Sequence, residues 1–496
     1  MSLTSQLPAL QVVVPLLTAP LVVLLRAPGL SWAAATAASV MSFAIAVALT
    51  AQVMTGGTVS YDMGGWPGPY GIVISIGALG SLVLLLVTGA SAIALVSGRE
   101  SLGSQVPADR RHLFYAAWLI VLAGLAGITV TGDAFNVFVF MEISSLASYV
   151  LIAAGPDRRA LTATFKYLIM GTVGATFYLI GVGLVYMMTG TLNFADIEMR
   201  MAEVTDQRPI LVAAGFITVG LALKAAVFPL HIWLPNAYTF APHIVTAFFA
   251  ACSTKVALYV LLRFDFLVFQ ANLSEHVNQF ATFLLPMSLL GILVGSAVAM
   301  LESSLKRLLA WSSVAQIGYI LLGAGFSTHA GLTASVTHMF NHALAKGALF
   351  LALAGMAMHV KQLMFKDIGG IGQRMPWTTA ALVIAGASLV GIPGTAGFVS
   401  KWLLLQAAFD QGWLGLVAVV VVVLSSLAAV YYVWRIIEQA YFGTPAEGFT
   451  EGEAPWPLLA GLWLVAIANI YFGLVPELPV TLAETAASNL LGLVPQ

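Results

Sequence analysis

The chain has 496 residues, 60% hydrophobic and only 8% charged, with a formal net charge of −1, whereas an average soluble domain is roughly 25% charged. No soluble fold of this size hides so much apolar surface, so lipid is the solvent for most of the chain. No basic run points to nucleic acid, and the single cysteine, Cys252, excludes internal disulfides and a cysteine-rich metal site.

Residues 1–8 are polar and uncharged and the first apolar stretch has no basic flank, so no cleavable signal is expected. Apolar runs long enough to cross roughly 30 Å of hydrocarbon fall near 9–25, 30–54, 70–97, 113–131, 134–154, 161–188, 209–235, 243–268, 279–301, 305–326, 330–359, 376–408, 412–440 and 456–478. The gaps between them are short and polar. They predict an all-α integral membrane protein of about fourteen spanning helices, one polytopic domain over residues 1–496.

The positive-inside rule orients this bundle. With the N-terminus outside, the cytoplasmic loops hold twelve cations: Arg26, Arg99, Arg110, Arg111, Arg158, Arg159, Lys306, Arg307, Lys361, Lys366, Arg374 and Arg435. The outer loops hold three, Arg200, Arg208 and Arg263, so both termini are expected outside. Five of the twenty Lys and Arg residues remain, within spans: Lys166, Lys224, Lys255, Lys346 and Lys401. All five are lysines. Desolvation can take a lysine pKa from about 10.4 towards 5–6, whereas arginine stays charged. Groups that can be both charged and neutral are what a proton relay needs.

Glu142, in the fifth span, is the acid well inside the membrane, where an unpaired carboxylate costs several kcal/mol. A structural ion pair is one reading. The other is a switch, in which Glu142 holds Lys224 charged and releases it when the pair breaks. Lys224 precedes Pro229 and Pro235, each of which removes a helical hydrogen bond, so the seventh span is expected to break near mid-membrane. The twelfth span repeats the device, with Gly391, Pro393, Gly394 and Gly397 ahead of Lys401. One proline alone is a kink; paired interruptions, each beside a buried lysine, point to a transport site and an inverted repeat.

His338, His342 and Lys346 are four residues apart and line one face of the eleventh span. Histidine titrates near physiological pH, which suits a relay. The spacing also suits a metal, but no carboxylate or cysteine accompanies it. Lys255 lies mid-span in the eighth helix, on the expected path. Lys166 is near a cytoplasmic helix end, where it can snorkel to water, and Cys252 reads as a packed small residue.

The segments GDAFNVFVFMEISSLASY (132–149), LKAAVFPLHIWLPNAY (223–238), APHIVTAFFAACSTKVALYVLLR (241–263), LKRLLAWSSVAQIGY (305–319) and HMFNHALAKGALF (338–350) resemble the antiporter-like subunits shared by respiratory complex I, membrane-bound hydrogenases and multisubunit Mrp cation/proton antiporters. The resemblance covers nearly the whole chain. It is nearest to the D-type subunits of the Mrp antiporters, in the run before Glu142, in Lys401 and in an ending after the fourteenth span.

The resemblance implies two inverted five-helix repeats, helices 4–8 (113–268) and 9–13 (279–440), after three leading helices (1–97) and before a last one (456–478). Glu142 and Lys224 match the family's glutamate–lysine pair, Lys255, His342 and Lys346 its central polar axis, and Lys401 its terminal lysine; His338 matches a histidine of the largest complex I subunit. Two positions depart from the pattern. Ser75-Ile76-Gly77 stands where the third helix usually carries an aspartate, and Ser304 where an acid usually precedes the tenth helix, the acid here being Glu302. The first departure removes the carboxylate that a cation site there would need.

The implied function is proton translocation in a bacterial cytoplasmic-membrane Na⁺/H⁺ antiporter of the Mrp type, with a large A-type subunit and small hydrophobic subunits as partners and no cofactor. The alternative is a proton-pumping subunit of a redox complex, NADH-quinone oxidoreductase or membrane-bound hydrogenase.

Overall fold

The computed structural model describes residues 3–270, 283–445 and 452–493. In chain order its main helices are α1 (Leu7–Leu25), α2 (Pro28–Gly56), α3 (Ala78–Ser97), α4 (Arg111–Val130), α5 (Ala134–Ala153) and α6 (Arg159–Thr189). A seventh helix is split into α7a (Arg208–Lys224) and α7b (Trp233–Phe240). There follow α8 (His243–Leu262), α9 (Leu285–Leu301), α10 (Leu305–Gly325) and α11 (His329–Met356), then a second split helix, α12a (Pro376–Val390) and α12b (Ala396–Phe409). The chain continues through α13 (Gly412–Phe442), α14 (Trp456–Leu474) and α15 (Glu477–Leu490). Among the described residues, eleven helices are long and apolar enough to cross a membrane. Helices α12a and α12b, of 15 and 14 residues, rise only about 22 Å each, so a crossing needs both in series.

The structure corrects the sequence reading at several element boundaries. The third span does not start at residue 70: residues 59–76 form an antiparallel hairpin, β1 (Val59–Asp62) and β2 (Val73–Ile76), joined by a turn rich in glycine and proline. Ser75 and Ile76 therefore lie in a strand and Gly77 caps α3, so the missing aspartate belongs to the hairpin rather than to a helix. Helix α15 and a short amphipathic helix, Phe194–Met201, have no counterpart among the expected spans, because both mix apolar and polar residues and lack a long hydrophobic run. The start of the ninth span at 279 lies outside the described residues.

The hairpin marks one end of the bundle, where bridges tie Ile74 to Thr131 and Asp133 to Asn193; at the opposite end Ser304 bridges to Met364. The helices richest in polar groups are the most central. The apolar stretches of α8, α10 and α11 are each 94% buried inside the protein, against 33% for α1, α13 and α14. This is how a bilayer tolerates them: lipid meets the apolar helices, while Lys255, His338, His342 and Lys346 are enclosed by protein. Helices α6 and α7a approach closely through Gly174 and Gly220. A Cβ on Gly220 would lie 2.5 Å from the Gly174 carbonyl oxygen, and such small-residue contacts bring membrane helices together where no hydrophobic force does.

Candidate functional site

Asp133 caps α5 by accepting from the Asn136 N–H at 2.7 Å, and two turns later this helix presents Glu142. Lys224, the last residue of α7a, is buried and places Nζ 3.4 Å from Glu142 Oε1, donating to Ser145 Oγ at 2.7 Å. Glu142 keeps 26% of its side chain exposed, so the pair sits at the flank of the bundle rather than in its centre.

Helix α7a ends at Lys224 because the backbone leaves the helix: Ala226 takes φ +56° and Pro229 follows in the linker. Trp233 Nε1 donates to the freed Leu223 carbonyl at 2.9 Å, anchoring the break. Pro235 does not break the helix as expected. It occupies the first turn of α7b, where backbone N–H groups have no helical acceptor and a proline costs little.

Lys255 of α8 is 1% exposed and its Nζ donates to the Ala250 carbonyl, turning towards the N-terminal end of its helix. On α11, Lys346 is fully buried and donates to the Leu309 carbonyl at 2.7 Å and to Ser312 Oγ. His338 hydrogen-bonds Ser400 Oγ and Gln316 Oε1, each at 2.9 Å. The His338 and His342 rings stack nearly parallel, with centroids 6.1 Å apart. His342 has both ring nitrogens buried without a protein partner. It lies within electrostatic reach of Lys255, Lys346 and His338. A buried imidazole so placed needs water to satisfy it.

Lys401 of α12b lies where α12a stops. Its Nζ donates to the Leu389 and Val390 carbonyls at 3.0 and 2.9 Å and to Ser426 Oγ at 3.1 Å, and it stands 5.1 Å from the Tyr319 ring centre. Those carbonyls are the unpaired C-terminal groups of a broken helix, the end that attracts cations. Gly391, with φ +91°, turns the chain there; Pro393 and Gly394, the latter at φ +87°, complete the linker.

The seven candidate residues thus fall into two groups. Glu142 and Lys224 form one; Lys255, His342, Lys346, His338 and Lys401 form the other, centred on α11. Among the described residues no hydrogen bond joins the groups. Between them lies Tyr167 of α6, which reaches Ser253 of α8, stacks on Trp233 at 4.2 Å and meets Tyr149 edge-on at 4.9 Å. His231, buried in the α7 break with Nδ1 unpartnered, packs against Phe228 and Trp311. Sequence reasoning misses Ser145, Tyr167, His231 and Gln316. Only His231 carries a signal, its place between Pro229 and Pro235.

Lys166 faces outward from α6, a position from which it can snorkel to water. Two other cations differ from their expected settings. Lys306, expected in a loop, is buried and donates to the Ala241 carbonyl at 2.8 Å. Arg263, expected in an outer loop, is buried because α8 runs on in π-helical turns through Arg263–Gln270. The buried cations are therefore not all lysines.

A family model for the transmembrane region of NADH:quinone oxidoreductases and Mrp antiporters matches residues 131–427. The chain belongs to this family. Among its relatives in the family, the N-type subunit of the NADH-quinone oxidoreductase of Desulforudis audaxviator is 41% identical over 460 residues, 92% of this chain and 90% of that protein. The D-type subunit of the Na(+)/H(+) antiporter of Bacillus subtilis is 30% identical over 490 residues, 97% and 96% of the two chains. Among solved structures, a chain of the Mrp complex from Dietzia sp. DQ12-45-1b superposes with a TM-score of 0.88 at 28% identity, covering 100% of this chain and 98% of that one. A chain of an archaeal membrane-bound sulfane sulfur reductase gives 0.89 at 31% identity, with 98% of each covered. The family relationship spans the whole bundle, both split helices included.

Proposed function

We propose that this protein is the D-type subunit of a multisubunit Na⁺/H⁺ antiporter and moves protons along its buried polar axis. Lys224, poised by Glu142, takes a proton from one side of the membrane. Lys255, His342, Lys346, His338 and bound water carry it inward, and Lys401 releases it on the other side. The observation that supports this most is the unsatisfied His342 imidazole amid Lys255, Lys346 and His338, a place that needs water and titratable neighbours together. Each 100 mV of membrane potential supplies about 2.3 kcal/mol per charge moved, enough to drive sodium the other way through a partner subunit.

On the same reading, the chain crosses a bacterial cytoplasmic membrane fourteen times with both termini outside, and its halves, 113–268 and 279–440, are inverted repeats that each contribute one broken helix. Its companions are a large A-type subunit and small hydrophobic subunits. Vesicles carrying the complex with Glu142→Ala should assemble normally but lose Na⁺/H⁺ exchange; unimpaired exchange would sink the proposal.

A second reading has its own support in the 41% identity to an N-type subunit of NADH-quinone oxidoreductase. Here the same axis pumps protons for a redox complex. Affinity purification of the native assembly separates the two: iron–sulfur proteins point to the redox complex, small hydrophobic companions without them to the antiporter.

A further inference from the structure

The hairpin end holds a polar cavity of about 410 Å³ that the proposed proton route does not use. Asp62 and Ser75 of the hairpin and Asp196 and Glu198 of the short helix Phe194–Met201 line its walls; Tyr259 and Arg263, both buried, line its deep side. At roughly 30 Å³ per water, there is room for about fourteen waters. Asp196 is partly neutralised by Arg200 at 3.0 Å, and burial lifts the Glu198 carboxyl above its ordinary range. Asp62 and the uncompensated part of Asp196 leave this wall net negative, which concentrates cations, while Glu198, held towards its neutral form, adds little.

The deep side carries the opposite sign. Arg263 Nη1 donates to the Thr131 carbonyl at 2.8 Å and to the Tyr259 hydroxyl at 3.0 Å, while Tyr259 donates to the Thr129 carbonyl at 2.9 Å. The guanidinium lies 4.1 Å from the Phe194 ring centre. Both residues are thereby locked against carbonyls at the C-terminal end of α4, Thr129 within it and the capping Thr131. Tyr259 is one helical turn beyond Lys255, whose ammonium points the other way, to Ala250. A fixed guanidinium at the deep side of a wet cavity is an electrostatic barrier to protons and cations.

We propose that this cavity is an aqueous vestibule open to the hairpin side of the membrane, and that Arg263, positioned by Tyr259 and the α4 carbonyls, is the plug that insulates the Lys255 axis from it. The inference rests on the proton route above and adds what prevents that route from short-circuiting. A purely structural Arg263 would tie α4 to α8 without controlling leak.

The test uses the assembled complex in sealed vesicles, with Cys252→Ala as background. A membrane-impermeant thiol reagent should modify Ser75→Cys at the wall and Ala78→Cys deeper in the lining, from one side only. Arg263→Gln should raise sodium-independent decay of an imposed pH gradient several-fold, Arg263→Lys should hold the gradient as the parent does, and adding Lys255→Ala to Arg263→Gln should abolish the leak. Protection of Ala78→Cys from both sides overturns the vestibule. A labelled Ala78→Cys with a tight Arg263→Gln overturns the plug. The labelling does not depend on transport, so it stands or falls apart from the proton route.

Discussion

Lys401 shows how a membrane interior holds a cation without a carboxylate. Its partners are carbonyls that α12a leaves unpaired, and Gly391 permits the arrangement twice over. Its φ of +91° suits no side chain, and a Cβ there would lie 2.9 Å from Lys401 Cδ. Gly391→Ala should therefore destabilise the protein by about 1–2 kcal/mol from the left-handed backbone alone, seen as a lowered Tm, and should also impair transport by displacing Lys401. At the other group, Ser145→Ala removes a 2.7 Å hydrogen bond to Lys224 but leaves Glu142 in place. A hydrogen bond to a charged group contributes about 1.5–3 kcal/mol, so exchange should slow by about tenfold or more while remaining measurable, unlike in Glu142→Ala. Glu142 and Lys224 are legible as partners because intramembrane charges are few. Ser145 and Tyr167 are not, because hydroxyls are common in membrane helices and nothing in spacing separates a ligand from a bystander.

At the scale of elements, the two split helices follow from backbone chemistry that sequence displays: Pro229 in one linker, Gly391, Pro393 and Gly394 in the other. Pro235 misleads because a proline's effect depends on its place in the helix, and the new helix start at Trp233 comes from Trp233 and its neighbours packing in three dimensions. The hairpin is hidden for a related reason: Val73–Ile76 is apolar enough to extend the next span, and only pairing with Val59–Asp62 marks it as strand. The α6–α7a contact depends on absent side chains. Gly220→Val would push its side chain into the Gly174 carbonyl and the Tyr178 backbone, 2.5 and 2.8 Å from Cβ. Overpacking of this kind costs about 1–3 kcal/mol. A thermal melt should show it, and exchange should fall with it because Lys224 ends the displaced helix.

Across the whole molecule, charge is sorted by depth. Lys255, Lys346, His338 and His342 sit on helices whose apolar stretches are 94% buried inside the protein, whereas Lys166, on the outer face of α6, lies away from them. Lys166→Ala should leave proton transfer and exchange unchanged in the vesicle assay; a loss comparable to Lys224→Ala would place it on the path after all. Arg263 escapes a sequence reading because the end of α8 carries charges in a stretch that looks like a loop, and continued winding buries them.

The central position of α11 also bears on how the chain is made. With two histidines and a lysine on one face and no exposed side to trade for them, α11 is a poor candidate to enter the bilayer alone. Its neighbours α8 and α10 are synthesised first and can already wait at the insertion machinery. The order of helices along the chain thus doubles as an order of assembly. A nascent chain lacking α8 should leave α11 stranded outside the membrane, as glycosylation mapping of truncated chains would reveal.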